Sequence, residues 1–330
     1  TVLWQQTIAN FRRVGAMRDS GSMVASADLL YAVANNRCHL LDTATGKEIR
    51  QFTTPARSDK QPRHWGYIAR VGNELYGTTT RVGAARRDHS REQINETYYD
   101  FIPIVTSDSI FARHRTEGQL KWQYKPRGAI INPTITISSD RIYFIESDNK
   151  KTLESKNGRS TLQHLLGGGS RLVALDRLRG TLLWEKPSGL KQIQHHLFLG
   201  YAQETLVAVG TRNHLDGTAQ QLWYDIKAFS AKDGRPLWTA SQNQRQTIGG
   251  SHGEQDHHPA IVQNIVYVEP FAYHLATGTR RANWKMTRGG HGCGTISASA
   301  AACFFRAGNP TMCDLATGKL SKVTEVSRPG

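Results

Sequence analysis

Apolar and polar residues alternate along most of this chain, in short runs separated by polar turns. The clearest case is Leu172–Lys186, LVALDRLRGTLLWEK. It has an apolar run at Leu172–Leu175, a polar turn ending at Gly180 and a second run carrying Trp184. A period of two on both sides of an Asp/Gly turn predicts a β-hairpin. The hairpin recurs, with its turns aligned on Gly46, Gly118, Gly180, Gly234, Gly278 and Gly318. Four residues before these glycines stand Asp42, His114, Asp176, Ser230, His274 and Asp314. Four residues after the middle three come Trp122, Trp184 and Trp238, and Trp284 follows Gly278 two places late. Glycine suits a turn that needs positive φ. Tryptophan suits a strand where one flat side chain covers the gap to the next unit.

Two more strand-like runs precede each hairpin: Ser22–Ser26 and Leu29–Ala34, Gly66–Val71 and Glu74–Thr78, Thr134–Ile137 and Arg141–Glu146, Leu197–Tyr201 and Leu206–Gly210, Ala260–Val262 and Ile265–Glu269, Thr295–Ala300 and Cys303–Arg306. Four antiparallel strands per repeat, A to D, make a propeller blade. The expected fold is therefore all-β, a β-propeller of four-stranded antiparallel blades. Six blades are visible, with a lone D-like strand at Val2–Gln5, so a longer parent chain would hold seven or eight. One domain is expected over residues 1–330, as a fragment of that parent. Insertions at 79–107, 147–170 and 211–225 fall between B and C strands, on one face. The period of two argues against helical repeats, and Gly167–Gly169 reads as a flexible connector.

Charge narrows the partners. Lys and Arg number 42 against 27 Asp and Glu, a formal net charge of +15. That favours acidic ligands such as an anionic polysaccharide. The basic residues are scattered and not interleaved with aromatics, so nucleic acid is not expected. No apolar run is long enough to span a membrane, and no signal peptide is present. The four cysteines form no CxxC motif. Cys303 and Cys313 flank a turn, within reach of a cross-strand disulfide, while Cys38 and Cys293 are expected unpaired.

Propeller topology places the candidate chemistry. The A strand is innermost, and D-to-A and B-to-C connections emerge on the same face. Residues just before each A strand therefore ring one mouth: His64 to Tyr67, Asn132-Pro133, His195-His196, His252 to His258, and His291 with Cys293. Polar groups converging on a concave mouth are the default binding site. The candidate acid/base residues are His252, His257, His291 and Tyr98. The candidate ligand-binding residues are His64, Arg86, Arg87, Arg91, Asn132, His196, Glu254, Asp256 and His258; arginines suit carboxylate or sulfate. A histidine at a strand start serves equally well to cap a neighbouring loop. A divalent ion is compatible with His beside Asp/Glu, although no HxH or HExxH spacing marks a metal site.

The hairpin AxDxxxGxxxW, intact at Ala174–Trp184 with looser copies at Ala112–Trp122 and Ala228–Trp238, resembles the tryptophan-docking repeat of pyrroloquinoline-quinone-type propellers. That superfamily includes quinoprotein alcohol dehydrogenases and the cofactor-free outer-membrane assembly lipoprotein propeller. The runs His252–Pro259, His291–Thr295 and Phe304–Asp314 are also similar to a group of large bacterial quinone-like propellers. The resemblance implies a periplasmic or extracellular protein, with partner domains in the parent chain. The vicinal cysteine pair of the quinone users is missing, so a bound quinone is not expected, while a divalent metal stays open. Three functions follow: a propeller that binds or processes acidic polysaccharide through its His/Arg/Tyr face, a quinone-type oxidoreductase, and a non-catalytic protein-interaction scaffold.

Overall fold

The computed structural model describes residues 2–9, 21–56, 59–84, 103–216, 219–247, 258–286, 296–306 and 309–323. The chain divides into two compact units, residues 1–89 with 103–191 and residues 90–102 with 192–330.

The first unit opens with a sheet of β1 (Met23–Ala25), β2 (Leu29–Ala34), β3 (Arg37–Asp42) and β4 (Glu48–Thr53), paired antiparallel in chain order. Next come β5 (His64–Val71), β6 (Glu74–Thr80), β7 (Ile104–Ser107), β8 (Ser109–His114) and β9 (Leu120–Tyr124). Of these, β5-β6-β8-β9 form the second sheet. The third sheet uses β10 (Ile130–Ile131), β11 (Thr136–Ile137), β12 (Arg141–Ser147), β13 (Arg159–Ser160), β14 (Ser170–Asp176) and β15 (Leu182–Pro187). Its order is β13-β7-β10-β12-β14-β15, with β11 also on β12. Alternation in each strand buries one apolar layer between consecutive sheets. Tyr31, Leu40, Phe52, Trp65 and Phe111 fill the first layer, and Tyr76, Ile110, Trp122, Phe144 and Leu175 the second.

In the second unit β16 (Leu197–Ala202), β17 (Thr205–Asp216), β18 (Ala219–Ser230) and β19 (Pro236–Thr247) form one sheet in chain order. A three-stranded sheet follows: β20 (Ala260–Val262), β21 (Ile265–Val268) and β22 (Phe271–His274). The last sheet is β23 (Ser297–Ala298), β24 (Ala302–Arg306), β25 (Pro310–Asp314) and β26 (Leu320–Lys322). Where a fourth strand is expected after Gly278, the described residues show only a bridge from Tyr273 to Arg280.

Four of the repeating glycines lie under aromatic rings from a preceding segment. Gly46, Gly118, Gly180 and Gly278 all have φ near +70°. A Cβ added to them would come within 2.5 Å of Trp4, 2.3 Å of Phe52, 2.3 Å of Trp122 and 2.4 Å of Trp238. The indoles also donate from Nε1 to the carbonyl three residues before the covered glycine: Trp4 to Thr43 at 2.7 Å, Trp122 to Arg177 at 3.1 Å and Trp238 to Leu275 at 2.8 Å. Trp284 donates in the same way to Leu315 at 3.0 Å, ahead of Gly318. Trp122 is buried, while Trp184 and Trp238 are half-buried. Phe52 and Trp284 stand two places later than the other aromatics; for Phe52, on β4, that is the same face, whereas Trp284 follows a turn at Ala282-Asn283.

Several expectations change. Val2–Gln5 belongs to no sheet; its contribution is the Trp4 indole on Gly46. The 79–107 and 147–170 insertions supply β7 and β13 to the third sheet, and 211–225 simply prolongs the β17–β18 hairpin as far as Asp216 paired with Ala219. Gly167–Gly169 is no loose connector. It ends helix α1 (Leu162–Gly167), whose Leu162, Leu165 and Leu166 are buried and whose N-cap Thr161 accepts from the His164 N–H. Gly169, at φ +100°, closes the C-terminal turn onto the Leu166 carbonyl. Six residues are too few to show a helical period.

Candidate functional site

In the first unit the topology brings the pre-A segments of the second and third repeats together. His64 opens β5, and its Nδ1 accepts the Gly83 N–H at 3.1 Å. Two residues on, the Gly66 carbonyl accepts from Asn132 Nδ2 at 3.1 Å. Gly66 is obligatory here for reasons of space: a Cβ would lie 2.9 Å from both Ser107 Oγ and Thr78 Oγ1. Ser107 Oγ in turn donates to Thr78 Oγ1 at 2.8 Å. Asn132 is almost fully buried, and its Oδ1 has no hydrogen-bond donor. Beside this hydroxyl-rich cluster lies a void lined by Thr80, Arg81, Thr106, Ser107 and Asp108, of about 10 Å³, which is room for a single water. Arg81 donates to the Leu153 carbonyl at 3.0 Å, and Asp108 is held by Arg63 at 2.6 Å.

His64 thus behaves as a loop cap. His64→Ala should strand the Gly83 N–H and cost about 1 kcal/mol. A thermal-shift comparison with His64→Asn, which keeps an acceptor, checks this: the Asn variant should recover part of the loss.

In the second unit His195 and His196 precede β16, both buried. His195 Nε2 lies 2.6 Å from Asn213 Oδ1 on β17, so it donates there. The His196 backbone N–H donates to Thr211 Oγ1 at 3.0 Å, and its ring stacks on Phe198 at 6.4 Å and 5°. The other side of the cluster is His258, whose ring centroid is 4.7 Å from that of Phe198. His258 Nδ1 donates to the Pro259 carbonyl at 2.8 Å, and burial pushes its pKa down, so the ring is held neutral. Two sequence-predicted residues, His196 and His258, therefore flank one phenyl ring. Phe198 itself was missed, because an aromatic inside an apolar strand reads as core. The predicted His252, His257, His291, Tyr98, Arg86, Arg87, Arg91, Glu254 and Asp256 lie outside the described residues.

A carboxylate the sequence reading overlooked is Glu146 on β12, fully buried in the first unit. Tyr124 Oη donates to its Oε2 at 3.2 Å, and Oε1 has no donor. Burial raises its pKa to about 7, with neighbouring Glu185 adding to the rise and the Tyr124 bond and Arg127 opposing it. Glu185 is charge-paired, at 2.6 Å to Arg127 and 2.8 Å to Arg171. The only sequence signal was an acid in the inward register of YFIES. Among the described residues no group of three or more His, Cys, Asp or Glu is placed to hold a metal ion, and no helix is long and apolar enough to cross a membrane.

The repeat register has a counterpart among known proteins. The profile of the outer membrane protein assembly factor BamB matches residues 101–324, a span that includes the hairpin glycines from Gly118 to Gly318. The chain belongs to the BamB family. Its fold is accordingly a β-propeller of the pyrroloquinoline-quinone-like repeat type, built from four-stranded antiparallel blades. Among solved structures, BamB from Moraxella catarrhalis is similar at 13% identity, over 85% of this chain and 79% of that one, with a TM-score of 0.37. No curated protein sequence matches the chain.

Proposed function

We propose that this BamB-family chain is a single, non-catalytic propeller domain that binds another protein, in the periplasm or at the outer membrane. The observation that carries the reading is an apolar patch on the β14–β15 hairpin. Leu178, Leu182 and Leu183 are 55%, 45% and 47% exposed within six residues of sequence. Scattered exposed leucines need no explanation, but three on one hairpin, Leu178 in its turn and Leu182 and Leu183 at the start of β15, mark a contact surface. Arg179, its side chain 79% exposed, stands within the patch, and the net charge is +15. An acidic protein surface with apolar anchors fits both features.

A second reading, an acidic polysaccharide held by histidines, is favoured by one observation, the meeting of His196 and His258 on Phe198. The two separate experimentally. A photo-crosslinking amino acid at Leu183, in cells expressing the chain, should yield one discrete adduct that protease digestion resolves into peptides of a partner protein. The same probe at Lys232, on an exposed turn of the second unit, is the control. Absence of an adduct at position 183, together with retention of the purified chain on a polygalacturonate column that His196→Ala abolishes, would favour the polysaccharide.

A further inference from the structure

Cys303 and Cys313 are direct cross-strand partners on β24 and β25, both fully buried and both reduced. Ladder geometry defines which kind of pair they form. The Leu315 N–H donates to the Ala301 carbonyl at 2.9 Å, so the pair two residues away from the cysteines occupies a hydrogen-bonded position of the ladder. Antiparallel pairs alternate, which puts Cys303 and Cys313 in a hydrogen-bonded pair as well. The neighbouring residue agrees: the Ala302 carbonyl turns the other way and accepts from Ser299 N–H at 2.8 Å.

This placement has a chemical consequence. Opposed Cα atoms in such a pair lie about 5.5 Å apart, inside the disulfide range. Their Cβ atoms lie about 4.5–5.5 Å apart, whereas a relaxed disulfide wants about 3.8 Å. Closing the bond draws the strands together against their own hydrogen bonds, and a strained disulfide is more easily reduced. The sheet tolerates such distortion because its flanking strands β23 and β26 are only two and three residues long. Burial pushes both thiols up, Cys303 to about 11 and Cys313 to about 12. Thiolate is therefore scarce at neutral pH, and attack requires the hairpin to open first.

We propose that Cys303 and Cys313 form a reversible thiol–disulfide site, oxidised by a low-molecular-weight disulfide and readily reduced again by the matching thiol. In the forward reaction one cysteine attacks oxidised glutathione and expels one glutathione thiol. The second cysteine then attacks the mixed disulfide and expels the other. Two protein thiols lose two protons and two electrons, and one glutathione disulfide takes them up to become two glutathiones.

The test uses the purified, fully reduced chain in buffers of varied oxidised-to-reduced glutathione ratio, followed by acid quench, alkylation in denaturant and mass spectrometry. The expected product has lost two hydrogens, maps to a Cys303–Cys313 crosslink, and reverts in tenfold excess of reduced glutathione. Cys303→Ser and Cys313→Ser should each abolish that product. Three results would overturn the proposal: no internal crosslink in oxidising buffer, a crosslink mapped to Cys38 or Cys293, or a Cys303–Cys313 bond that survives the reducing excess. The wild-type peptide map decides even where a serine variant folds poorly.

Discussion

Gly180→Val should destabilise the first unit by about 3–5 kcal/mol, as much as deleting the ring that covers the glycine. Two penalties act together. The residue sits at φ +69°, where a β-branched side chain is strained by about 1–3 kcal/mol. A Cβ would also lie 2.3 Å from the Trp122 indole, whose Nε1 bond to the Arg177 carbonyl fixes the ring in place. Trp122→Ala alone should cost about 3–5 kcal/mol through the cavity it leaves. In the double variant the clash is gone, and valine adds only its backbone strain. The two effects should therefore fall short of additivity by about 1–3 kcal/mol. Urea unfolding followed by circular dichroism measures the cycle. Full additivity would mean that glycine and indole do not share one contact.

The second large effect is on pH dependence. Glu146 titrates near its usual value of about 4.5 when unfolded and near 7 when buried. The folded state holds the proton more tightly, so protonation favours folding. The contribution is fully present below about pH 4.5 and is lost as pH rises to about 7. The shift corresponds to about 3 kcal/mol. Glu146→Gln keeps the shape and an acceptor for Tyr124 but removes the charge. It should raise stability by up to about 3 kcal/mol at pH 8 and change it little at pH 4.5. Thermal midpoints across this range decide the matter: a variant that parallels wild type at every pH would show that Glu146 carries no such burden.

The fold was legible because its signal is repeated. Each glycine turn carries an Asp, Ser or His four residues before it, and the strands alternate with period two, so even drifted copies could be aligned on their neighbours. The exceptions have local causes. Phe52 stands two residues beyond the aligned Arg50 and faces the same way, so a motif written as one fixed spacing passes over it. Helix α1 is a single capped turn and a half, below the length at which periodicity speaks. Of the pre-A residues, Asn132 meets the segment after His64 through Gly66, and His196 and His258 each meet Phe198. It did not reveal how those groups are used. His64 caps a loop and His258 holds its own proline carbonyl, and nothing in a one-dimensional pattern separates a structural imidazole from a reactive one. Glu146 was missed for the converse reason: in sequence it is one acid among polar neighbours, and only burial makes it chemically distinct.

The fold rests on one register, in which an aromatic from a preceding segment covers Gly46, Gly118, Gly180 and Gly278, and the indoles of Trp4, Trp122, Trp238 and Trp284 donate to the carbonyl three residues before a hairpin glycine. The direct measurement is hydrogen exchange at the indole N–H groups of protein labelled with 15N-tryptophan, with resonances assigned by single Trp→Phe variants. The expected result is that Trp122, Trp238 and Trp284 exchange as slowly as the strand amides around them, and that Gly278→Val removes protection from Trp238 alone. Fast exchange of these three indoles in the folded protein, at the rate of a solvent-exposed tryptophan, would contradict it.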